Sequence, residues 1–331
     1  MTAPLTLSEV LAASPALFPL NIDPTGNLVQ LVNLAEADYE SASFLDGRLL
    51  GSGMRHAVVP WSELENAAVG LPRRCNFIFH ISHAGSTLLS RLLGSHESCF
   101  SLREPGILRL LGQGAYLDRL DTFQGLWSRT FHPEQTALIK ATSFVSEIAV
   151  TLLSATPNSK ALLMYVPPET FLPALLDGAM SDITSQSESR LQRLQLKGLL
   201  NGLELSNLSI GECVAMSWLS EMASLAEAAK KFPGRTTWMD FDQFLNQPEF
   251  HLLNAFAHFG VHTEVASLIS GSMMQRYAKK PEVIYDASFR TKLLAKSQQK
   301  FSVEISRGLA WLELEEQAAI RSRLPVTPNR Y

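Results

Sequence analysis

The sequence predicts an α/β fold in which a central parallel sheet is flanked by helices as a three-layer sandwich, with a helical insert or cap beside it. Three observations predict it. From Cys75 onward, short apolar, β-favouring runs alternate with helix-patterned stretches, as parallel βαβ units do. A turn of small residues joins one such strand directly to a helix at residues 80–87. Hydrophobic residues make up 46% of the chain and charged ones 18%, the balance of a globular protein with a core to bury.

The remaining bulk properties exclude more than they assign. With 331 residues the chain can form one large domain or two ordinary ones. A formal net charge of −4 gives no global electrostatic reason to expect nucleic acid as a partner. Cys75, Cys99 and Cys213 are too few and too scattered for a disulfide framework or a zinc site, and read as reduced, buried thiols. His132 and Glu134 lack a spacing partner, so no metal is assigned. The N-terminal stretch has no basic residues before its apolar ones, so it is a poor signal peptide, and no run is long enough to span a membrane. A soluble, cytoplasmic protein is expected.

Element by element, residues 5–70 mix a short helical pattern with turns, and 28–32 (LVQLV) read as a strand. Residues 1–70 are expected to form an extension packed on a main domain at 71–331. Residues 76–81 (NFIFHI) have the unbroken apolar character of a buried parallel strand, and 87–93 (TLLSRLL) that of a helix. Strands are predicted at 100–102, at 136–139 ending in Lys140, and at 160–166, the last stopped by Pro167-Pro168 because proline cannot extend a ladder. A helix is predicted over 145–154. Polar 185–189 (SQSES) read as a loop or the start of a helix, and the chain to Lys231 as mostly helical. A strand at 236–241 then precedes a helix at 249–259 ending at Gly260, a favoured residue just past a helix end. Helices at about 170–230 would form the insert.

The turn at 80–87 carries the chemistry. A strand, a small-residue turn and a helix together expose successive backbone N–H groups and a helix N-terminus at one point, which suits a phosphate or sulfate. Gly85 lets the backbone come close to a ligand, and Ser86 and Thr87 add hydroxyl donors. An NTP-hydrolysing P-loop reads G-x-x-x-x-G-K-S/T; here His80 takes the first glycine position and Ser86 the lysine position. The departures point to a P-loop-type relative that binds a nucleotide differently.

Residues 82–88 (SHAGSTL) resemble the 5′-phosphosulfate-binding loop of the sulfotransferase family, usually P-K/R-S-G-T-T-L/W. The glycine, both hydroxyl positions and the following apolar residue are kept, while His83 stands at the basic position. The stretch L-G-S-H at 93–96 resembles L-x-x-H-P. SLREP at 101–105 is similar to the acidic turn of the bacterial and protein-tyrosine branch, and LIKAT at 138–142 to the strand end that carries a catalytic lysine. Residues 235–259 resemble the late strand and helix of the family, and the similarity spans roughly 75–290.

The resemblance implies a P-loop-type α/β sandwich and transfer of a sulfuryl group from 3′-phosphoadenosine 5′-phosphosulfate (PAPS), without a metal, to a hydroxyl or amine of a small molecule or peptide. It implies Glu104 as the base, Lys140 on the bridging oxygen of the leaving phosphate, and His83, Ala84, Gly85, Ser86, Thr87 and Leu88 around the donor. Pro167 stands where the family has an arginine for the 3′-phosphate, so Arg103, or Arg276 with Lys279 and Lys280, is expected to supply that charge. His83 could stand in for the loop's basic residue if protonated. His80 reads as a satisfied core histidine, and Trp218, Trp238 and Phe241 as core. Two other functions fit the same loop: a small-molecule kinase using ATP and Mg²⁺, and a binding protein that kept the fold and lost the donor site.

Overall fold

The computed structural model describes residues 5–50, 54–178, 180–277, 280–284 and 287–324. Its centre is a five-stranded, all-parallel sheet, preceded in the chain by a smaller antiparallel one. The first three strands, β1 (Leu17–Ile22), β2 (Leu28–Asn33) and β3 (His56–Pro60), form the antiparallel sheet in that order. The central strands follow as β4 (Cys75–His80), β5 (Cys99–Arg103), β6 (Thr136–Lys140), β7 (Ala161–Tyr165) and β8 (Thr236–Asp240). They lie side by side in the order β5-β6-β4-β7-β8. A final antiparallel pair, β9 (Arg276–Tyr277) and β10 (Lys280–Ile284), closes the strand inventory of the described residues.

The burial of the central strands explains their sequences. Every residue of β5 and of β7 is buried, and all but Asn76 in β4, so both faces of the sheet are covered and alternation is not needed. The order also creates a crevice. The chain leaving β4 crosses to β5 on one side, while the chain leaving β7 goes to β8 on the other, so the connections from their neighbouring carboxyl ends diverge.

The expected helices are present with shifted bounds. The stretch at 145–154 is a 3₁₀ segment, Ser143–Ile148, running into an α-helix, Ala149–Ala155. Residues 185–189 lie within the helix Met180–Leu196, not in a loop. Phe241, expected at a strand end, is the first residue of the helix Phe241–Asn246; Asp240 caps that helix by accepting from the backbone N–H groups of Asp242 and Gln243. Between β7 and β8 stand the helices Pro168–Leu176, Met180–Leu196 and Ile210–Lys231. The last is opened by a capping box of Ser209 with Glu212. Its Gly211 meets Gly308 of the helix Ser302–Leu312 so closely that a Cβ on Gly308 would lie 2.4 Å from the Gly211 carbonyl oxygen.

The N-terminal residues are fastened to the main sheet by two buried arginines. Arg129 donates to the carbonyls of Ser14 at 2.9 Å and Leu17 at 2.8 Å. Arg103 donates to those of Ala42 at 2.6 Å, Glu40 at 2.9 Å and Tyr39. Burial pushes both guanidinium pKa values down to about 10, so the charges persist at neutral pH and a set of carbonyl oxygens satisfies them.

Candidate active site

The loop leaving β4 reverses direction through two left-handed residues, His83 at φ 60° and Gly85 at φ 66°. Gly85 is also the N-cap of the helix Ser86–Gly94. A side chain is excluded there: a Cβ would lie 2.0 Å from the Phe241 ring. Ser86 and Thr87 are buried at the helix N-terminus, and the Ser82 hydroxyl donates to Ser143 at 3.0 Å. Loop and helix therefore present backbone donors and hydroxyls to one point at the carboxyl edge of the sheet.

Two residues of neighbouring strands meet beside that point. Glu104 follows β5 at φ 49°, a left-handed conformation that costs a non-glycine residue about 1–2 kcal/mol, and it precedes Pro105, which disfavours helical backbone. Its N–H donates to the Lys140 carbonyl at 2.8 Å, which holds the turn against β6. Its buried carboxylate takes the Lys140 ammonium on Oε1, and Thr142 Oγ1 at 3.2 Å with Arg109 Nη2 at 3.5 Å on Oε2. Burial alone would raise the carboxyl pKa, but Lys140, His80 and Arg109 together hold it below the usual carboxylate range.

A cavity of about 300 Å³ joins these parts. It is lined by residues 82–88 of the loop and helix, by His80, Glu104, Arg109, Lys140, Thr142 and Ser143, and by Phe44, Phe241 and Arg290 from elsewhere in the chain. Arg290 is 8% exposed, donates to Asp242 Oδ1 at 2.7 Å and lies 4.9 Å from the centre of the Phe241 ring.

Most of the candidate site residues thus converge: His83, Ala84, Gly85, Ser86, Thr87 and Leu88 with Glu104 and Lys140. Arg103 does not. It is 3% exposed, its Nε and Nη2 donate to the three carbonyls named above, and it borders a different cavity, so it does not line the one beside the loop. Arg276 lies in β9, and Lys279 lies outside the described residues. Pro167 caps the helix Pro168–Leu176 and does not line the cavity.

One core reading needs correction and another an addition. His80 is buried but not satisfied: Nδ1 lies 2.8 Å from the Ile81 carbonyl, while Nε2 has no partner among the described residues. Burial first, then Lys140, pushes the His80 pKa down to about 4, which keeps the ring neutral. Phe241 is core and cavity wall at once. Trp218 is buried as expected, its indole N–H donating to the Val166 carbonyl at 2.9 Å, and Trp238 is half-buried against Tyr165.

Sequence reasoning missed Phe44, Arg109, Thr142, Ser143 and Arg290 as lining residues. Thr142 and Ser143 follow Lys140 closely enough to have been found. Phe44 and Arg290 had no local signal.

The chain is an α/β protein with a cavity at the carboxyl edge of its parallel sheet, the edge at which open α/β sheets generally take their ligands. No family model and no curated protein matches the chain. Among solved structures, it is similar to the sulfotransferase domain from the curacin biosynthetic pathway, at 14% identity and a TM-score of 0.45, over 77% of this chain and 98% of that one. It is also similar to the sulfotransferase domain from the Synechococcus PCC 7002 olefin synthase, at 15% identity and a TM-score of 0.40, over 70% and 97% of the two chains. A third is a sulfotransferase from Alicyclobacillus acidocaldarius, at 14% identity and a TM-score of 0.36, over 72% and 98%. At these identities the likeness concerns the fold, and activity has to be argued from the site.

Among the described residues no helix is long and apolar enough to cross a membrane, and no group of three or more His, Cys, Asp or Glu residues could hold a metal ion.

Proposed function

We propose that the protein transfers a sulfuryl group from PAPS to the hydroxyl or amine of an acceptor. The observation that carries the reading is the convergence, in one cavity, of a helix N-terminus bearing Ser86 and Thr87 with the buried pair Lys140–Glu104. Sulfuryl transfer asks little covalent chemistry of a protein, as phosphoryl transfer does; it needs positioning, charge stabilisation and one base.

The donor set fits an anion. Loop N–H groups and the hydroxyls of Ser86 and Thr87 would hold the 5′-phosphosulfate, and Gly85 lets it approach. The chain departs from the usual loop at His83, whose side chain is exposed; Arg290, a buried cation on the same cavity wall paired with Asp242, would offset the loss by sharing its guanidinium between that carboxylate and the donor. In the reaction the acceptor oxygen bonds to sulfur while the bond from sulfur to the bridging oxygen breaks, its electron pair leaving with the 5′-phosphate. Lys140 would move to that bridging oxygen. Once its ammonium leaves Glu104, burial raises the carboxyl pKa, so the carboxylate becomes a better base as the acceptor gives up its proton.

Calorimetric titration of 3′-phosphoadenosine 5′-phosphate (PAP) into the protein, beside ATP with Mg²⁺, tests the reading. Micromolar binding of PAP that weakens in Ser86→Ala is the expected result. Saturation by ATP with Mg²⁺ and not by PAP would move the assignment to phosphoryl transfer.

A further inference from the structure

Arg109 has a donor capacity that the fold does not use. It stands on the helix Gly106–Gly112, five positions after Glu104. A guanidinium offers five N–H donors. Among the described residues its direct polar contact is the long one to Glu104 Oε2, 3.5 Å from Nη2; Asp46 is near enough to interact with it electrostatically, and its Nε is buried without a hydrogen-bond partner, which leaves the two terminal nitrogens as the donors a ligand can reach. The side chain is 43% exposed and lines the cavity. The other arginine and the lysine on the cavity wall are committed, Arg290 to Asp242 and Lys140 to Glu104.

The two oxygens of the Glu104 carboxylate have different cationic neighbours. Lys140 holds Oε1 and Arg109 approaches Oε2. An acceptor that gives its proton to Glu104 must place its hydroxyl within hydrogen-bond reach of that carboxylate. Groups a few bonds from the hydroxyl then fall within reach of the open side of Arg109.

One aromatic part of the lining, Phe44, comes from the N-terminal part of the chain. Phe44 lines the cavity, with the Lys140 ammonium 5.9 Å and the Arg48 guanidinium 3.4 Å from its ring centre. Two backbone hydrogen bonds fix this segment on either side of Glu104: Leu45 N–H to the Arg103 carbonyl at 2.7 Å, and Gly106 N–H to the Leu45 carbonyl at 2.8 Å.

We infer that the acceptor is a planar or apolar hydroxyl compound carrying a carboxylate, packed against Phe44 with its anion on Arg109. The inference rests on the sulfuryl-transfer reading for the role of Glu104. Arg109 is then a specificity-determining residue, and the N-terminal residues complete the acceptor site.

The test is calorimetric titration of 4-hydroxyphenylacetate and its methyl ester, with and without saturating PAP, into the full chain and into Arg109→Gln and Arg109→Lys. Wild type should bind the acid at least about tenfold more tightly than the ester, since one charge-assisted hydrogen-bond pair accounts for such a ratio. Arg109→Gln should abolish that preference, Arg109→Lys should keep part of it, and both should bind PAP as wild type does. Equal affinity for acid and ester in wild type, including no measurable binding of either, overturns the inference. So does an unchanged preference in Arg109→Gln, or a loss of PAP binding in it, which would assign Arg109 to the donor. Failure of wild type to bind PAP counts against sulfuryl transfer alone, because the acid–ester comparison is also made without nucleotide.

Discussion

Lys140 and Glu104 are 36 residues apart in sequence and meet as a buried ion pair, the ammonium on Oε1 with 1% of its side chain exposed. The register of β5 against β6 sets this, pairing Arg103 with Lys140 and so placing the next residue, Glu104, across from the end of β6. Each partner justifies the burial of the other.

Removing Lys140 takes the closest counter-charge from the buried Glu104 carboxylate and leaves it Thr142 and the long contact to Arg109. Lys140→Met is expected to destabilise the fold by about 3–5 kcal/mol in urea unfolding. The double variant Lys140→Met with Glu104→Gln should cost clearly less than the two single changes combined, because neither charge then remains. Simple additivity would show that the pair is not coupled.

Gly85→Ala should weaken PAP binding strongly and lower the melting temperature. The left-handed backbone costs alanine about 1–2 kcal/mol, and the new methyl would collide with the Phe241 ring, so the loop must shift. Adding Phe241→Ala removes the collision but not the backbone strain, so recovery should be partial. Wild-type affinity in Gly85→Ala would remove this loop from the donor site.

Arg290→Ala is expected to reduce PAP affinity about tenfold, the usual effect of losing a charge-assisted contact. The effect should shrink as ionic strength rises. An unchanged dissociation constant would leave His83 as the candidate cation.

Stability should fall on acidification before the carboxylates titrate. The His80 pKa is pushed down to about 4, below its unfolded value near 6.5, so the unfolded state binds the extra proton in that window. The contribution is complete above pH 6.5 and is lost as the pH falls to about 4, at most about 3 kcal/mol from this group. Burial lowers His251 and His258 as well, so His80→Asn should reduce the loss without abolishing it. Glu104, whose pKa is also depressed, adds a loss below the normal carboxylate range. An identical pH dependence in His80→Asn would mean that the ring is not the titrating group.

Much of this architecture was legible because it is written locally. Unbroken apolar runs marked β4 and β7, and the small residues at 82–88 marked the turn into a helix. The open or mistaken readings fell where local pattern is ambiguous. Residues 185–189 are polar enough to leave loop and helix both open, and they continue a helix that packs against Ile210–Lys231. Phe241 looks like the end of a strand until Asp240 is seen to cap the helix that begins there.

The sequence by itself determined the strands of the central sheet, the anion-suited loop, and Glu104 and Lys140 as residues placed at strand ends, since backbone preference and strand position are properties of short segments; β1, β3, β9 and β10 carried no such signal. The tertiary structure decided which of those groups remain open for chemistry. Arg103 and Arg109 lie six residues apart, yet one is taken up by the carbonyls of Tyr39, Glu40 and Ala42 while the other faces the cavity. Phe44 and Arg290 reach the same cavity from distant parts of the chain. Whether a polar group is satisfied depends on what long-range packing brings to it, and no local pattern records that.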